Sequence, residues 1–61
     1  MRTFDSMIDM IYEVLDITSI FYYNLTRRDE FKLLEIIYNN IGDFEVANKY
    51  IVKNGVIIII E

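Results

Sequence analysis

The chain has no cysteine, no histidine, no proline and no tryptophan, and only two glycines in 61 residues. Without cysteine there is no disulfide framework and no thiolate; without histidine the usual neutral-pH base and the commonest transition-metal ligand are missing. Cations are sparse: six Lys and Arg stand against ten Asp and Glu, for a net charge of −4. Phosphate binding needs clustered Lys and Arg, so nucleic acid is disfavoured as the main partner. Long apolar runs are missing too. The longest is Val56 to Ile60, whereas a membrane-spanning helix needs about 20 residues, and no membrane partner is expected. No Gly-rich phosphate loop and no strand-to-helix serine elbow occur, and so short a chain hardly encloses a ligand cavity of its own. The expectation is a non-enzyme with no catalytic residues, no metal and no cofactor.

What is present argues for folding. Hydrophobic residues make up 54% of the chain, with five tyrosines and four phenylalanines, far too apolar a composition for disorder. At this length the chain is one domain, residues 1–61, near the lower size at which one core offsets chain entropy unaided. The opening Met1-Arg2-Thr3-Phe4-Asp5, followed by Asp9, Glu13 and Asp16, does not read as a secretory signal, and we read the chain as cytoplasmic. On that reading the glycosylation-like triplet Asn24-Leu25-Thr26 is accidental.

From Phe4 to about Tyr23, the residues Phe4, Met7, Ile8, Ile11, Val14, Leu15, Phe21 and Tyr22 recur at helical spacing, predicting one amphipathic helix capped by Asp5 or Ser6. A second helix should start at Thr26, whose hydroxyl can accept from the Asp29 N–H, with Asp29 and Glu30 suiting the positive helix start. Its core stripe would be Phe31, Leu34, Tyr38 and Ile41, widened by Leu33 and Ile37, and Gly42 marks its end. Beyond it, Phe44, Val46, Tyr50 and Val52 alternate with Glu45, Ala47, Lys49 and Lys53. Asn54-Gly55 is a strong type I′ hairpin signal. With that pair at the tip, Val52 faces Ile57, Ile51 faces Ile58 and Tyr50 faces Ile59, so Tyr50, Val52, Ile57 and Ile59 form an apolar face for the helices. The class expected is α+β, a two-helix hairpin followed by a C-terminal antiparallel β-hairpin (α-α-β-β). Residues 43–48 are left open between strand and helix.

The far side of that hairpin carries Lys49, Ile51, Lys53, Val56, Ile58 and Ile60, which makes the last strand apolar on both sides. Such edges associate unless covered, so Ile51, Val56, Ile58 and Ile60 are candidate partner-binding residues, in a homodimer or against another protein. Ile20 and Tyr23, at the end of the first helix, form a second candidate patch. Asp5, Asp9, Glu13 and Asp16 would share one sector of that helix as an acidic stripe, which most simply is its solvated side. Arg27, Arg28 and Lys32 are the one basic cluster, and salt bridges to nearby acids account for it.

Leu25-Thr26, the acidic-Phe pair Glu30-Phe31, Leu33-Leu34 and the closing Gly42 resemble the first helix of winged-helix transcription regulators, and the C-terminal hairpin would then be the wing. The resemblance covers under a third of the chain, and between Gly42 and the hairpin there is no room for two further helices, including the one that enters the major groove. It implies a DNA-binding alternative in which Arg27, Arg28, Lys32, Lys49 and Lys53 contact phosphates. The preferred expectation is a small interaction protein, homodimeric, of a size and Ile/Asn-rich composition that would suit an accessory or inhibitor protein of a phage or mobile element.

Overall fold

The computed structural model describes residues 1–16 and 24–60. In chain order the elements are β1 (Arg2–Phe4), α1 (Met7–Val14), α2 (Arg27–Ile41), β2 (Phe44–Val46), β3 (Tyr50–Lys53) and β4 (Val56–Ile59). The class is α+β, as expected, but the order is corrected: a strand comes first, and the hairpin belongs to a four-stranded mixed sheet ordered β1-β2-β3-β4. β1 runs parallel to β2, pairing Phe4 with Val46, and the other two pairings are antiparallel. A parallel neighbour needs a long crossover, and the segment containing both helices supplies it.

Phe4 therefore ends the strand β1 and does not open the first helix. Its spacing to Met7 and Ile11 suits a helix, but its backbone belongs to the sheet, where the Phe4 carbonyl accepts from the Ala47 N–H at 2.8 Å. Ser6 is the N-cap of α1, its hydroxyl accepting from the Asp9 N–H at 3.2 Å. The helix is also shorter than its periodicity suggested. Leu15 is its C-cap and Asp16 follows at φ 52°, a left-handed conformation that Asp tolerates better than most residues and that ends the helical path. The remainder of the expected helix, residues 17–23, lies outside the described residues.

α2 follows its local signals. The Thr26 hydroxyl accepts from the Asp29 N–H at 3.2 Å, and Gly42 closes the helix at φ 78°, ψ −150°, a region open essentially to glycine. Its buried stripe is centred on Glu30, Leu33, Leu34 and Ile37, while Phe31, Tyr38 and Ile41 pack half-buried at the margins. The expected stripe was thus turned slightly off the true one.

Residues 43–48 resolve as strand and turn. The Lys49 N–H donates to the Val46 carbonyl at 3.1 Å, and Asn48 has φ 65°, the positive value that type II turns have at their third residue. The Asn54-Gly55 turn has φ 53° and 80°, as type I′ demands. The register of β3 and β4 is the expected one, with Tyr50 opposite Ile59, Ile51 opposite Ile58 and Val52 opposite Ile57.

The core lies between the helices and one face of the sheet. Tyr50, Phe44, Met10, Ile11, Leu34, Ile37, Val46 and Val52 are essentially inaccessible, each worth roughly 1.5–3 kcal/mol relative to exposure. The Phe4 and Phe44 rings meet edge to face with centroids 6.1 Å apart. Ordering costs about 1–2 kcal/mol per residue in backbone entropy alone, so a core this small leaves a thin margin.

Candidate interaction surface

Alternation along each strand sends Phe4, Phe44, Val46, Tyr50 and Val52 to the core. The residues between them point away from it, so Thr3, Glu45, Ile51 and Ile58 form one row across the outer face. Beside that row lie Lys53 with Val56 at the hairpin tip and Ile60 at the other end, where its N–H donates to the Lys49 carbonyl at 2.8 Å. Lys49, expected on this face, instead lies in the turn before β3 and turns its ammonium to buried Glu30 on the helix side. Ile51 is half-buried; Val56, Ile58 and Ile60 are 58%, 47% and 46% exposed. The structure thus gathers Ile51, Val56, Ile58 and Ile60 into one patch.

Ile59 departs from expectation. Strand alternation puts it on the face toward the helices, yet it is 45% exposed. The helices cover β1 to β3 and reach only as far as Ile57, which is half-buried against the core. β4 therefore presents apolar side chains on both faces, and nothing pairs with its outer edge among the described residues.

The two edges of the sheet differ. β1 is three residues long and opens with Arg2, whose guanidinium pairs with Glu13 of α1 and lies over the Phe4 ring. A short, charged edge resists pairing with another chain. From Val56 to Ile60 β4 and its continuation carry no charge. Of the second candidate patch, Ile20 and Tyr23, both residues fall outside the described residues.

The acidic stripe does not form as expected. Asp5 lies in the bend before α1 and Asp16 beyond its end, so only Asp9 and Glu13 are on the helix, and Glu13 is engaged by Arg2. All four are exposed, and among the described residues no group of three or more potential ligands could hold a metal ion. Of the basic residues, Arg27 and Lys49 both lie against the Tyr50 ring. Lys49 is bound to Glu30, the Arg27 guanidinium lies 5.9 Å from the Tyr50 ring centroid, and Arg28 and Lys32 sit one turn apart on exposed positions of α2. Lys53, at the hairpin tip, is four residues along from Lys49, roughly 13 Å for an extended chain. Since residues 43–48 are strand and turn, no helix for a major groove lies between α2 and the hairpin.

One group went unnoticed in the sequence. Glu30 is 6% exposed at the centre of the buried face of α2. Its Oε1 accepts from the Tyr50 hydroxyl at 2.8 Å and its Oε2 from the Lys49 ammonium at 2.6 Å. Phe31 packs edge to face on Tyr50, centroids 6.0 Å apart, and Lys49 Nζ lies 5.7 Å from the same ring. A buried carboxylate is tolerable only when so satisfied, and the cluster ties the first turn of α2 to the turn between β2 and β3. The one available signal was its spacing: Glu30 precedes Leu33, Leu34 and Ile37 at helical intervals. An open depression of about 490 Å³ borders the cluster, lined by Ser6, Ile8, Leu25, Glu30, Asn48 and Lys49 among others. Both Glu30 oxygens are occupied within the protein, which suits a structural tie more than a reacting group.

No helix of the described residues is long and apolar enough to cross a membrane. No family model, curated protein or solved structure matches the chain.

Proposed function

We propose that this chain is a small non-enzymatic protein–protein interaction module that forms homodimers, with the β3–β4 hairpin as its working surface. The observation that carries this reading is the exposure of Val56, Ile58, Ile59 and Ile60 along an edge strand free of charge. Exposed edges with apolar side chains on both faces are hazards that proteins cover, and apolar patches of this kind mark interaction sites. The modest core supports the same reading, because a second chain adds buried surface where one chain is short of it. An accessory or inhibitor role suits a module of this size; its acidity favours a protein partner over nucleic acid.

The test is the solution mass across a dilution series, by sedimentation or light scattering, for the native chain and for Ile58→Lys. The native chain should be a dimer that dissociates on dilution. Ile58→Lys should keep its far-ultraviolet circular dichroism and lose self-association. A variant that dimerises with unchanged affinity would remove the hairpin as the interface, and a native chain monomeric at every concentration would remove the homodimer.

A further inference from the structure

Building on the homodimer proposed above, we infer that two copies join edge to edge, β4 against β4 in antiparallel register about a two-fold axis through Ile58, making one continuous eight-stranded sheet.

The register follows from backbone groups. In an antiparallel pair, residues that exchange hydrogen bonds alternate with residues that do not, and the residues flanking a two-residue hairpin loop belong to the bonded set. Lys53 and Val56 flank the Asn54-Gly55 loop, so Val56, Ile58 and Ile60 turn their N–H and C=O groups toward β3. The bond from the Ile60 N–H to the Lys49 carbonyl fits that phase. Ile57 and Ile59 then direct theirs outward, at the edge of β4 that pairs with no strand among the described residues. Only one self-pairing satisfies all of them within the strand: Ile57 opposite Ile59 of the second copy, Ile59 opposite Ile57, and Ile58 opposite Ile58. Centring on Ile57 would set Ile59 against Gly55, which lies in the turn, and centring on Ile59 would carry Ile57 past the strand.

The side chains agree with the backbone. On the outer face this register aligns Val56, Ile58 and Ile60 with Ile60, Ile58 and Val56 of the other copy. On the helix side it sets the exposed Ile59 beside the half-buried Ile57. No charged residue lies between Val56 and Ile60, so two copies of a chain with net charge −4 meet there without a like-charge contact. That edge gives a charged foreign strand no ionic recognition, whereas its apolar and hydrogen-bonding pattern complements itself. A two-fold axis normal to the sheet keeps both helical layers on one side and merges the two outer faces. Strand pairing alone is a small interface, under the ~1,200 Å² below which complexes are weak, so dissociation on dilution is expected.

Because the chain has no cysteine, single-cysteine variants report the geometry cleanly. Facing residues of a non-bonded antiparallel pair have Cα atoms about 4.5 Å apart, within disulfide reach. Ile51 would lie three strand spacings from its counterpart, roughly 14 Å. Under mild oxidation Ile58→Cys should form a covalent dimer in high yield, while Ile51→Cys and Ile59→Cys should not. In the native chain, hydrogen exchange at the Ile57 and Ile59 amides should slow as concentration rises. Crosslinking of Ile51→Cys as readily as Ile58→Cys would overturn the edge arrangement in favour of stacked outer faces. Preferential crosslinking at Ile59 would overturn the register, and concentration-independent exchange at both amides would overturn edge pairing altogether. Sedimentation of the native chain separates these outcomes from failure of the homodimer itself.

Discussion

The Tyr50 hydroxyl donates to Glu30 Oε1 at 2.8 Å, joining the most buried side chain of β3 to the one buried charged side chain among the described residues. A hydrogen bond to a charged acceptor contributes about 1.5–3 kcal/mol, so Tyr50→Phe should lower unfolding stability by about that amount in urea denaturation. Glu30→Ala should cost more than Lys49→Ala, because it leaves the buried Tyr50 hydroxyl without this acceptor, while the side chain of Lys49 is 38% exposed and can return to water. Equal losses from Glu30→Ala and Lys49→Ala would mean that Glu30 acts chiefly through its ion pair.

Gly42 has open space around it: apart from its own atoms and those of its two chain neighbours, no atom of the described residues lies within 4 Å of where a Cβ would be. Its backbone, at φ 78° and ψ −150°, is what excludes other residues. Gly42→Ala should therefore destabilise by about 1–3 kcal/mol through backbone strain alone, without changing the pattern of core contacts. A stability within about 0.5 kcal/mol of the native chain, the range of neutral surface changes, would show that the corner relaxes to another conformation.

At the hairpin tip the Asp43 carboxylate accepts from the Asn54 N–H at 3.0 Å. The contact fastens the turn to the corner that leaves α2, and Gly55 lies beside the Tyr38 ring. Asp43→Ala removes one exposed hydrogen bond and should cost about 0.5–1.5 kcal/mol. In hydrogen exchange the effect should be confined to Asn54 and its neighbours; uniform loss of protection would assign Asp43 a global role instead.

A net charge of −4 and the engagement of Lys49 by Glu30 predict no measurable affinity of Arg27, Arg28, Lys32, Lys49 and Lys53 for duplex DNA even at about 50 mM salt, where phosphate contacts are strong. Binding that falls steeply with added salt would revive the winged-helix alternative. Lys53→Ala and Arg28→Ala would then reduce the salt slope by about one each.

Much of the architecture was legible because it is set by neighbours in the chain. Thr26 caps a helix because its hydroxyl reaches the N–H three residues on; Gly42 ends it because few other residues take that conformation. Asn54-Gly55 fixes the hairpin register because both positions need positive φ. From that register the outer patch of Ile51, Val56, Ile58 and Ile60 follows by strand alternation. None of these requires knowledge of a distant segment.

Where sequence reasoning failed, the deciding contact was distant. Phe4 satisfies a helical period with Met7 and Ile11, but its carbonyl meets Ala47, more than forty residues on, and becomes part of a parallel pair. Glu30 reads as a surface acid at a helix start until Lys49 and Tyr50 close over it. Ile59 shares a strand face with Ile57, yet only Ile57 packs against the core while Ile59 stays exposed. Local conformation is determined by a residue and its near neighbours through sterics and hydrogen-bond reach, and here the sequence by itself determined it. Which strand pairs with β2, which acid is buried and which isoleucine stays in water depend on segments brought together only by folding, and the tertiary structure alone decided those.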